Sequence, residues 1–427
     1  MPREGVAPGL RLGSATLLAA VGSGSSGRVW AARRDDGSLV AVKTLLSHLS
    51  DVTDVKRAFD DLMDRLAGVR DPHLCAVLES GIDEEILYVT SEWVDGESAH
   101  RLLSPDDVPH AMGGIAAARI VADAAAGVHT LHEETAARTG AELVHGDLSA
   151  RNLLVGADGR SRVADLGVSA ALALAAVSTE TQPPLSPEIV LGLGLDRRTD
   201  VFGLGCVLYE LSTGVHPLAG LKESAAYEAL RTGGVPPPSR HVAGYPPELE
   251  AIVLQALAFE PSERLRSAAA LRDALTAWLE RASPSLGQQE VAGLVRTRAK
   301  KRMETRRARI DSARAVWGGE GDGKNPSRVG PASGLRPVQP EIDLLNPPIP
   351  GPAPVPVVPM PRARPSVAPA ASTKRRRGSD GRRFALGVLV GFVLFLAVAI
   401  AVFVAARSFG LGPAPEHPAP ALTAPSP

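Results

Sequence analysis

The 427-residue sequence predicts an α+β domain in its N-terminal two thirds, followed by an extended spacer and one membrane-spanning helix. Three observations carry this reading. Apolar runs at Leu17-Leu18-Ala19-Ala20-Val21, Val29-Trp30-Ala31-Ala32 and Val40-Ala41-Val42-Lys43 are separated by a Gly/Ser stretch and by Asp36-Gly37, the pattern of antiparallel hairpins. Polar residues of a kind that do chemistry gather between Val144 and Val168. Beyond residue 281 the composition changes: residues 1–281 carry a net charge of −13 and residues 282–427 one of +12, Pro accumulates from Asn325 to Ala371, and Phe384 to Ala406 contains no charge at all.

Between the first two strands lies Gly22-Ser23-Gly24-Ser25-Ser26-Gly27-Arg28-Val29. Glycines let a backbone approach a phosphate and aim its N–H groups at the oxygens. A Gly/Ser run is also what a flexible linker looks like, but strands on both sides make this one a loop at the tip of a hairpin. Lys43 closes the third strand. A lone Lys there is usually a solvated edge residue, yet beside a phosphate-covering loop it fits a clamp on the α- and β-phosphates of a nucleotide. Asp60, Asp61 and Asp64 then read as the polar face of an amphipathic helix.

The chemistry-bearing segments are Val144-His145-Gly146-Asp147-Leu148-Ser149-Ala150-Arg151-Asn152 and Val163-Ala164-Asp165-Leu166-Gly167-Val168. Phosphoryl transfer from Mg-ATP needs one carboxylate to orient the attacking hydroxyl, and hard oxygen donors for the metal ions that bridge the phosphates. Asp147 suits the first role, and Asn152 with Asp165 suits the second. Small-molecule phosphotransferases of the aminoglycoside and choline type carry a similar loop, so the downstream residues discriminate. These are Leu185-Ser186-Pro187-Glu188, the run from Asp200 to Gly214, and Arg264, which resemble elements of the protein kinases. The resemblance implies that the Arg264 guanidinium holds the Glu188 carboxylate bidentately.

In this order and at these spacings the motifs resemble those of protein kinases, in particular the bacterial Ser/Thr protein kinases of the eukaryotic type, over about residues 10–281. The resemblance implies a bilobal protein-kinase fold, with an antiparallel β N-lobe joined by a hinge near Glu92-Trp93-Val94 to a mainly helical C-lobe, and ATP and Mg2+ bound between them. It assigns ATP contacts to Val21, Gly22, Gly24, Gly27, Val29, Ala41, Lys43, Glu92 and Val94. Asp147 becomes the base, Asn152 and Asp165 the magnesium ligands, and Lys43 the phosphate clamp. His145, Thr181, Glu188, Asp200 and Arg264 take supporting roles, with Thr181 facing the catalytic Asp from the substrate loop. Protein substrates would offer Ser/Thr hydroxyls.

Four positions depart from the family pattern. The small-lobe helix carries Leu62 where the family places the Glu that pairs with the strand Lys; Asp61, one position away, could reach Lys43 by a small shift in register, or be no more than solvated surface. Gly146 replaces the Arg that meets a phosphorylated loop residue, which implies activation without that clamp. Ser149 replaces the Lys that neutralises the γ-phosphate, and Arg151 stands where tyrosine kinases carry a substitute cation. Ser91, just before the hinge, is smaller than usual and implies room behind the adenine. Ser178 and Thr179 are candidate phosphorylation sites in the loop before Glu188. These departures keep a second reading open, a membrane-tethered pseudokinase that acts as a binding scaffold.

Cys75 and Cys206, the only cysteines, fall in core-like segments and imply buried thiols in a reducing compartment. Residues 282–383 read as a basic, Pro-rich disordered linker, its first part including Arg296, Arg298, Lys300, Lys301, Arg302, Arg306, Arg307 and Arg309. Residues 384–406 are long enough to cross a bilayer of about 30 Å hydrocarbon thickness. Lys374, Arg375, Arg376, Arg377, Arg382 and Arg383 precede the span and only Arg407 follows it closely, so the kinase side is expected in the cytoplasm and residues 407–427 outside, in a cell-membrane, single-pass arrangement. That topology accounts for the basic stretch without nucleic acid. Met1 to Gly9 lacks the apolar core of a signal peptide, and the tail after Arg407 is too short for a sensor domain. Gly387 and Gly391 form a G-x-x-x-G face through which a homodimer could pack.

Overall fold

The computed structural model describes residues 6–24, 27–45, 53–83, 86–104, 110–166, 186–191, 193–219, 221, 223–282 and 287–317. The expected span and tail, the Pro-rich stretch, Ser178, Thr179 and Thr181 lie outside them. Among the described residues no helix is long and apolar enough to cross a membrane.

The N-terminal lobe is a six-stranded antiparallel sheet in the order β1-β2-β3-β4-β6-β5. Its strands are β1 (Arg11–Leu12), β2 (Ala15–Gly24), β3 (Gly27–Arg34), β4 (Leu39–Leu45), β5 (Val77–Asp83) and β6 (Ile86–Glu92). The three expected runs fall in β2, β3 and β4. Gly37, at φ 82°, turns the chain between β3 and β4, and the Asp36 carboxylate accepts from the Ser38 amide at 2.8 Å. Alternation sends Trp30, Ala32, Val40 and Val42 into one apolar cluster with Leu12, Leu17 and Tyr88.

Helix α1 (Thr53–Leu66) buries Phe59, Leu62, Met63 and Leu66, a helical stripe of i, i+3, i+4 and i+7. Asp60, Asp61 and Asp64 are exposed on the opposite face. A second sheet, β7 (Gly96–Ser98), β8 (Leu153–Gly156) and β9 (Ser161–Val163), lies below the hinge and frames the catalytic loop.

The second lobe is helical. A short α2 (Ala99–Leu103) leads to α3 (Gly114–Thr139), whose Ala-rich sequence lets it be buried on nearly every side against its neighbours. After α4 (Pro187–Val190) comes α5 (Arg197–Thr213), which starts at Asp196 accepting from the Arg198 amide and stops at Gly214, φ 82°. Its buried Phe202, Leu204, Val207, Leu208, Tyr209 and Leu211 form the centre of the main core. Helices α6 (Glu223–Gly233), α7 (Pro247–Ala256) and α8 (Ala268–Ala282) complete the lobe.

The chain does not enter a linker at residue 282. Helices α9 (Gln288–Arg298) and α10 (Lys300–Trp317) follow, and both pack on the domain. Val291, Ala292, Val295, Ala299, Met303 and Ile310 are buried. The density of Arg and Lys hides this apolar stripe in the sequence, because many of those cations lie on the same surface as acceptors of the domain itself.

Candidate active site

The catalytic loop is held from beneath by one carboxylate. Asp200, in the first turn of α5 and 1% exposed, accepts from the His145 amide at 2.8 Å, the Gly146 amide at 2.9 Å and His132 Nε2 at 2.7 Å. Burial opposes its ionisation, but the His132 bond, the neighbouring His132 and His145 rings and the Gly146 amide outweigh it, and its pKa lies below the ordinary carboxylate value. Gly146 adopts φ 74°, a left-handed conformation that only Gly enters without strain. The residue that breaks the family pattern is therefore the one best suited to this turn.

His145 is fully buried and bridges the two halves of the site. Its Nε2 lies 3.0 Å from the Ala164 carbonyl, next to Asp165, while Nδ1 lies 3.3 Å from the Asp147 amide. An acceptor on one side and a donor on the other define the tautomer protonated at Nε2. The ring thus ties the loop that carries Asp147 to the strand end that carries Asp165.

Asn152 Nδ2 donates to the Asp147 carbonyl at 2.8 Å and to Asp147 Oδ2 at 3.2 Å. This fixes the amide orientation and leaves Asn152 Oδ1 as its oxygen donor. Across the cleft, Lys43 Nζ meets Asp165 Oδ2 at 2.8 Å. Lys43 sits in mid-sheet, its β4 position paired with Val29 on one side and Val89 on the other. Asp165 holds φ 59°, the sole non-Gly residue with positive φ among the described residues, and Leu166 behind it is buried in the main core. Asn152, Asp165 and Asp147 offer amide and carboxylate oxygens, the hard donors that magnesium prefers, so the residues fit that ion.

Neither Leu62 nor Asp61 of the small-lobe helix supplies an acid to Lys43. Leu62, at the position expected for the Glu, is 4% exposed and packs in the main core. Asp61 faces outward, so the register shift that would bring it to Lys43 has not occurred. Lys43 pairs with Asp165 instead.

Gly24 and Gly27 pair across the tip of the β2–β3 hairpin, with Gly22 opposite Val29. At Gly27 a Cβ would collide with the Thr44 carbonyl, so β3 and β4 approach here as only Gly allows. Val21, Val29 and Ala41 are half-buried on the sheet, and Glu92 ends β6 opposite Val40, with Val94 two residues beyond. Ser91 pairs with Ala41. Arg151 is exposed at the edge of the loop. Its charge reaches His100, whose pKa is pushed to about 4 chiefly by burial, and Glu210, which burial raises to about 7 with Arg151 opposing.

The pair expected between Glu188 and Arg264 is formed. Arg264 donates to the two carboxylate oxygens at 2.6 and 2.9 Å, and also to the carbonyls of Ala258, Arg198 and Phe259. Thr199 donates to the same carboxylate at 2.9 Å, and Phe202 lies under the guanidinium at 4.9 Å. Cys75 and Cys206 are free thiols buried in the core, and burial pushes Cys75 up to about 12.

Sequence reasoning missed His132 and Thr199, which orient Asp200 and Glu188. The first is hidden in an Ala-rich helix and the second in the α5 cap, where polar residues are ordinarily read as caps.

A family profile described as "Protein kinase domain" matches residues 16–275. The chain belongs to the protein kinase family. Among curated relatives it is 31% identical over 309 residues to the tyrosine-protein kinase MasK of Myxococcus xanthus, a match covering 70% of this chain and 47% of MasK. To the serine/threonine-protein kinase PknB of Mycolicibacterium smegmatis it is 34% identical over 248 residues, 55% of this chain and 37% of PknB. It therefore spans less than half the length of these two relatives. Among solved structures, the PknI kinase domain of Mycobacterium tuberculosis matches with a TM-score of 0.50 and 22% identity, covering 64% of this chain and 98% of that domain, a likeness of fold.

Proposed function

We propose that the chain is an ATP-dependent protein kinase that transfers the γ-phosphoryl group to Ser/Thr hydroxyls of protein substrates from a membrane-anchored position. The observation that carries this reading is the Asp147–Asn152–Asp165–Lys43 constellation with its backbone held by Asp200 and His145. Magnesium, held by Asn152 and Asp165, would neutralise charge on the phosphates. Asp147, its Oδ2 steadied by Asn152, orients the incoming hydroxyl and accepts its proton. Lys43 holds the α- and β-phosphates while the hairpin from Gly22 to Gly27 covers them, and the backbone of Glu92 and Val94 receives the adenine. The Ser/Thr assignment follows the PknB relatives; the tyrosine kinase name of MasK and the exposed Arg151 make tyrosine the alternative acceptor.

The anchoring rests on the uncharged run 384–406 and the basic residues before it, with 407–427 outside and the domain in the cytoplasm. A homodimer through Gly387 and Gly391 belongs to the same reading. Leu62 in place of the helix acid is the observation that favours the scaffold alternative. The test is ATP turnover by the purified chain beside Asp147→Asn and Lys43→Met, with phosphosite mapping. Transfer lost in both variants supports the kinase; nucleotide binding without transfer in the unaltered chain supports the scaffold. Release of the chain from membranes by salt alone would sink the anchor.

A further inference from the structure

Helices α9 and α10 climb the outside of the domain from the helical lobe, past the hinge, to the sheet of the small lobe. At the lower end, Val291 and Val295 of α9, with Ala299 and Met303 beyond it, join the main core. Arg298 donates to the carbonyls of Leu102, His110 and Ala111 at 3.1, 2.9 and 3.1 Å. One turn on, Arg302 meets Glu97 at 3.3 Å and the Arg101 carbonyl at 2.9 Å. Another turn on, Arg306 bonds the Gly96 carbonyl, lies 3.6 Å from Glu97 and sits 5.9 Å from the centre of the Trp93 ring. Arg307 pairs with Asp95, and Arg309 donates to the Ala20 carbonyl of β2 at 3.2 Å. Spacing by four residues puts Arg302 and Arg306 on one face of α10, with Arg298 at the end of α9 before them, and their acceptors run from α2 through β7 to the hinge.

The upper end reaches the wall of the nucleotide site. Ile310, 4% exposed, packs with Leu18 and Ala31, and Val21, Leu39, Trp93 and Ala313 surround them. Ala31 lies two residues from Val29 on β3, and Leu39 two residues from Ala41 on β4. Strand alternation places each on the same sheet face as its neighbour assigned to ATP. Val21, itself assigned to ATP, is part of this cluster.

Two glycines of the domain make room for the strap. At Gly159, φ 80°, a Cβ would strike the Gln288 carbonyl at the start of α9. At Gly9, φ 90°, a Cβ would stand 2.6 Å from the Trp317 ring at the end of α10. The first is an approach of backbone to backbone, the second of the Gly9 backbone to a ring, and a larger residue would crowd either.

We propose that Arg306 and Ile310 are positioning residues for ATP: by fixing the hinge and the adjacent sheet face, the strap 288–317 sets nucleotide affinity, so the catalytic unit ends near residue 317 and not at residue 281. This rests on the kinase reading for its nucleotide. Apparent affinity falls in proportion to the fraction of molecules whose site is assembled, so a strap that raises that fraction tightens binding without touching ATP.

The test uses the full chain in detergent, with a non-hydrolysable ATP analogue and magnesium measured calorimetrically, beside ATP-dependent transfer. Arg306→Ala and Ile310→Ala should raise the analogue Kd and the KM for ATP by about tenfold while kcat stays within about twofold. Arg306→Lys should recover part of the affinity, and Lys301→Ala, on the same helix and exposed, should change nothing. Glu97→Gln keeps the shape of the hinge region and should weaken the analogue in the same direction, which covers the case in which Arg306→Ala does not fold. Analogue affinity unchanged in Glu97→Gln and Ile310→Ala, with hydrogen exchange showing the strap loosened, would overturn the proposal. If the unaltered chain binds the analogue but transfers nothing, the kinase reading fails and the strap is still judged by Kd. If it binds no analogue, both fail.

Discussion

Lys43 Nζ lies 2.8 Å from Asp165 Oδ2, while Asp61 of helix α1 faces outward. The proposed phosphate clamp and the proposed magnesium ligand are therefore oriented by each other. Lys43 is largely shielded while the Asp165 side chain is 28% exposed, open to the cleft in which the nucleotide's charges would sit.

From this pairing, Asp61→Asn should leave phosphoryl transfer within about twofold of the unaltered chain, since Asp61 faces water and surface changes away from special features have small effects. Lys43→Met should remove transfer. Parallel steady-state assays decide it: a large loss in Asp61→Asn would mean that Asp61 swings to Lys43 during turnover.

Arg264 and Glu188 make a buried, bidentate pair with further bonds on both partners. Removing one partner leaves the other charge uncompensated, so Arg264→Ala should cost about 3–5 kcal/mol, read by chemical denaturation. Lys in its place cannot reproduce the fork and should recover only part. Burial raises the Glu188 pKa, but Arg264 and Thr199 lower it further than burial raises it, so the net pKa is depressed. The stabilisation is present above the ordinary Glu range and disappears as pH falls through the depressed value; Glu188→Gln should lessen that acid sensitivity.

Glu210 has the opposite sign. Burial lifts it from its usual 4.5 to about 7. Between those values the folded chain keeps a proton that the unfolded chain has released, so stability declines as pH rises across the window. Glu210→Gln should raise Tm by a few degrees near pH 8 and by almost nothing near pH 4.5. Equal shifts at both pH values would contradict a half-buried, proton-retaining carboxyl.

Asp200→Asn should weaken the catalytic loop more than the fold. An amide can still accept on one side but presents a donor to the other, and it loses the charge that faces His132. Transfer should fall by about a hundredfold or more while unfolding by denaturant stays cooperative, and His132→Ala should show a smaller loss of the same kind.

Much of the site was legible because its residues lie in short segments whose order encodes the chemistry. Asp147, Asn152, Asp165 and Lys43 converge in the cleft, and Glu188 finds Arg264 from 76 positions away because both belong to motifs with fixed neighbours. Three of the strands, β2, β3 and β4, were legible from short apolar runs and the Asp36-Gly37 turn. The strap was not. Its apolar positions, Val291, Val295, Met303 and Ile310, stand four to eight residues apart amid cations, and composition over that window describes a solvated segment. What the window could not display was the row of carbonyls and carboxylates waiting on α2, β7 and β2. His132 was hidden for a related reason: its importance lies in a carboxylate 68 residues further along the chain.

Gly146, turned at φ 74° with its amide on Asp200, gives the catalytic loop a backbone fastening in place of a cationic side chain. In the kinase proposed here, a loop fastened this way would not depend on a side-chain cation at residue 146 to take up its conformation. That fastening would form as the chain folds, so the number of loops in place would follow the amount of folded protein and not a modification met at residue 146.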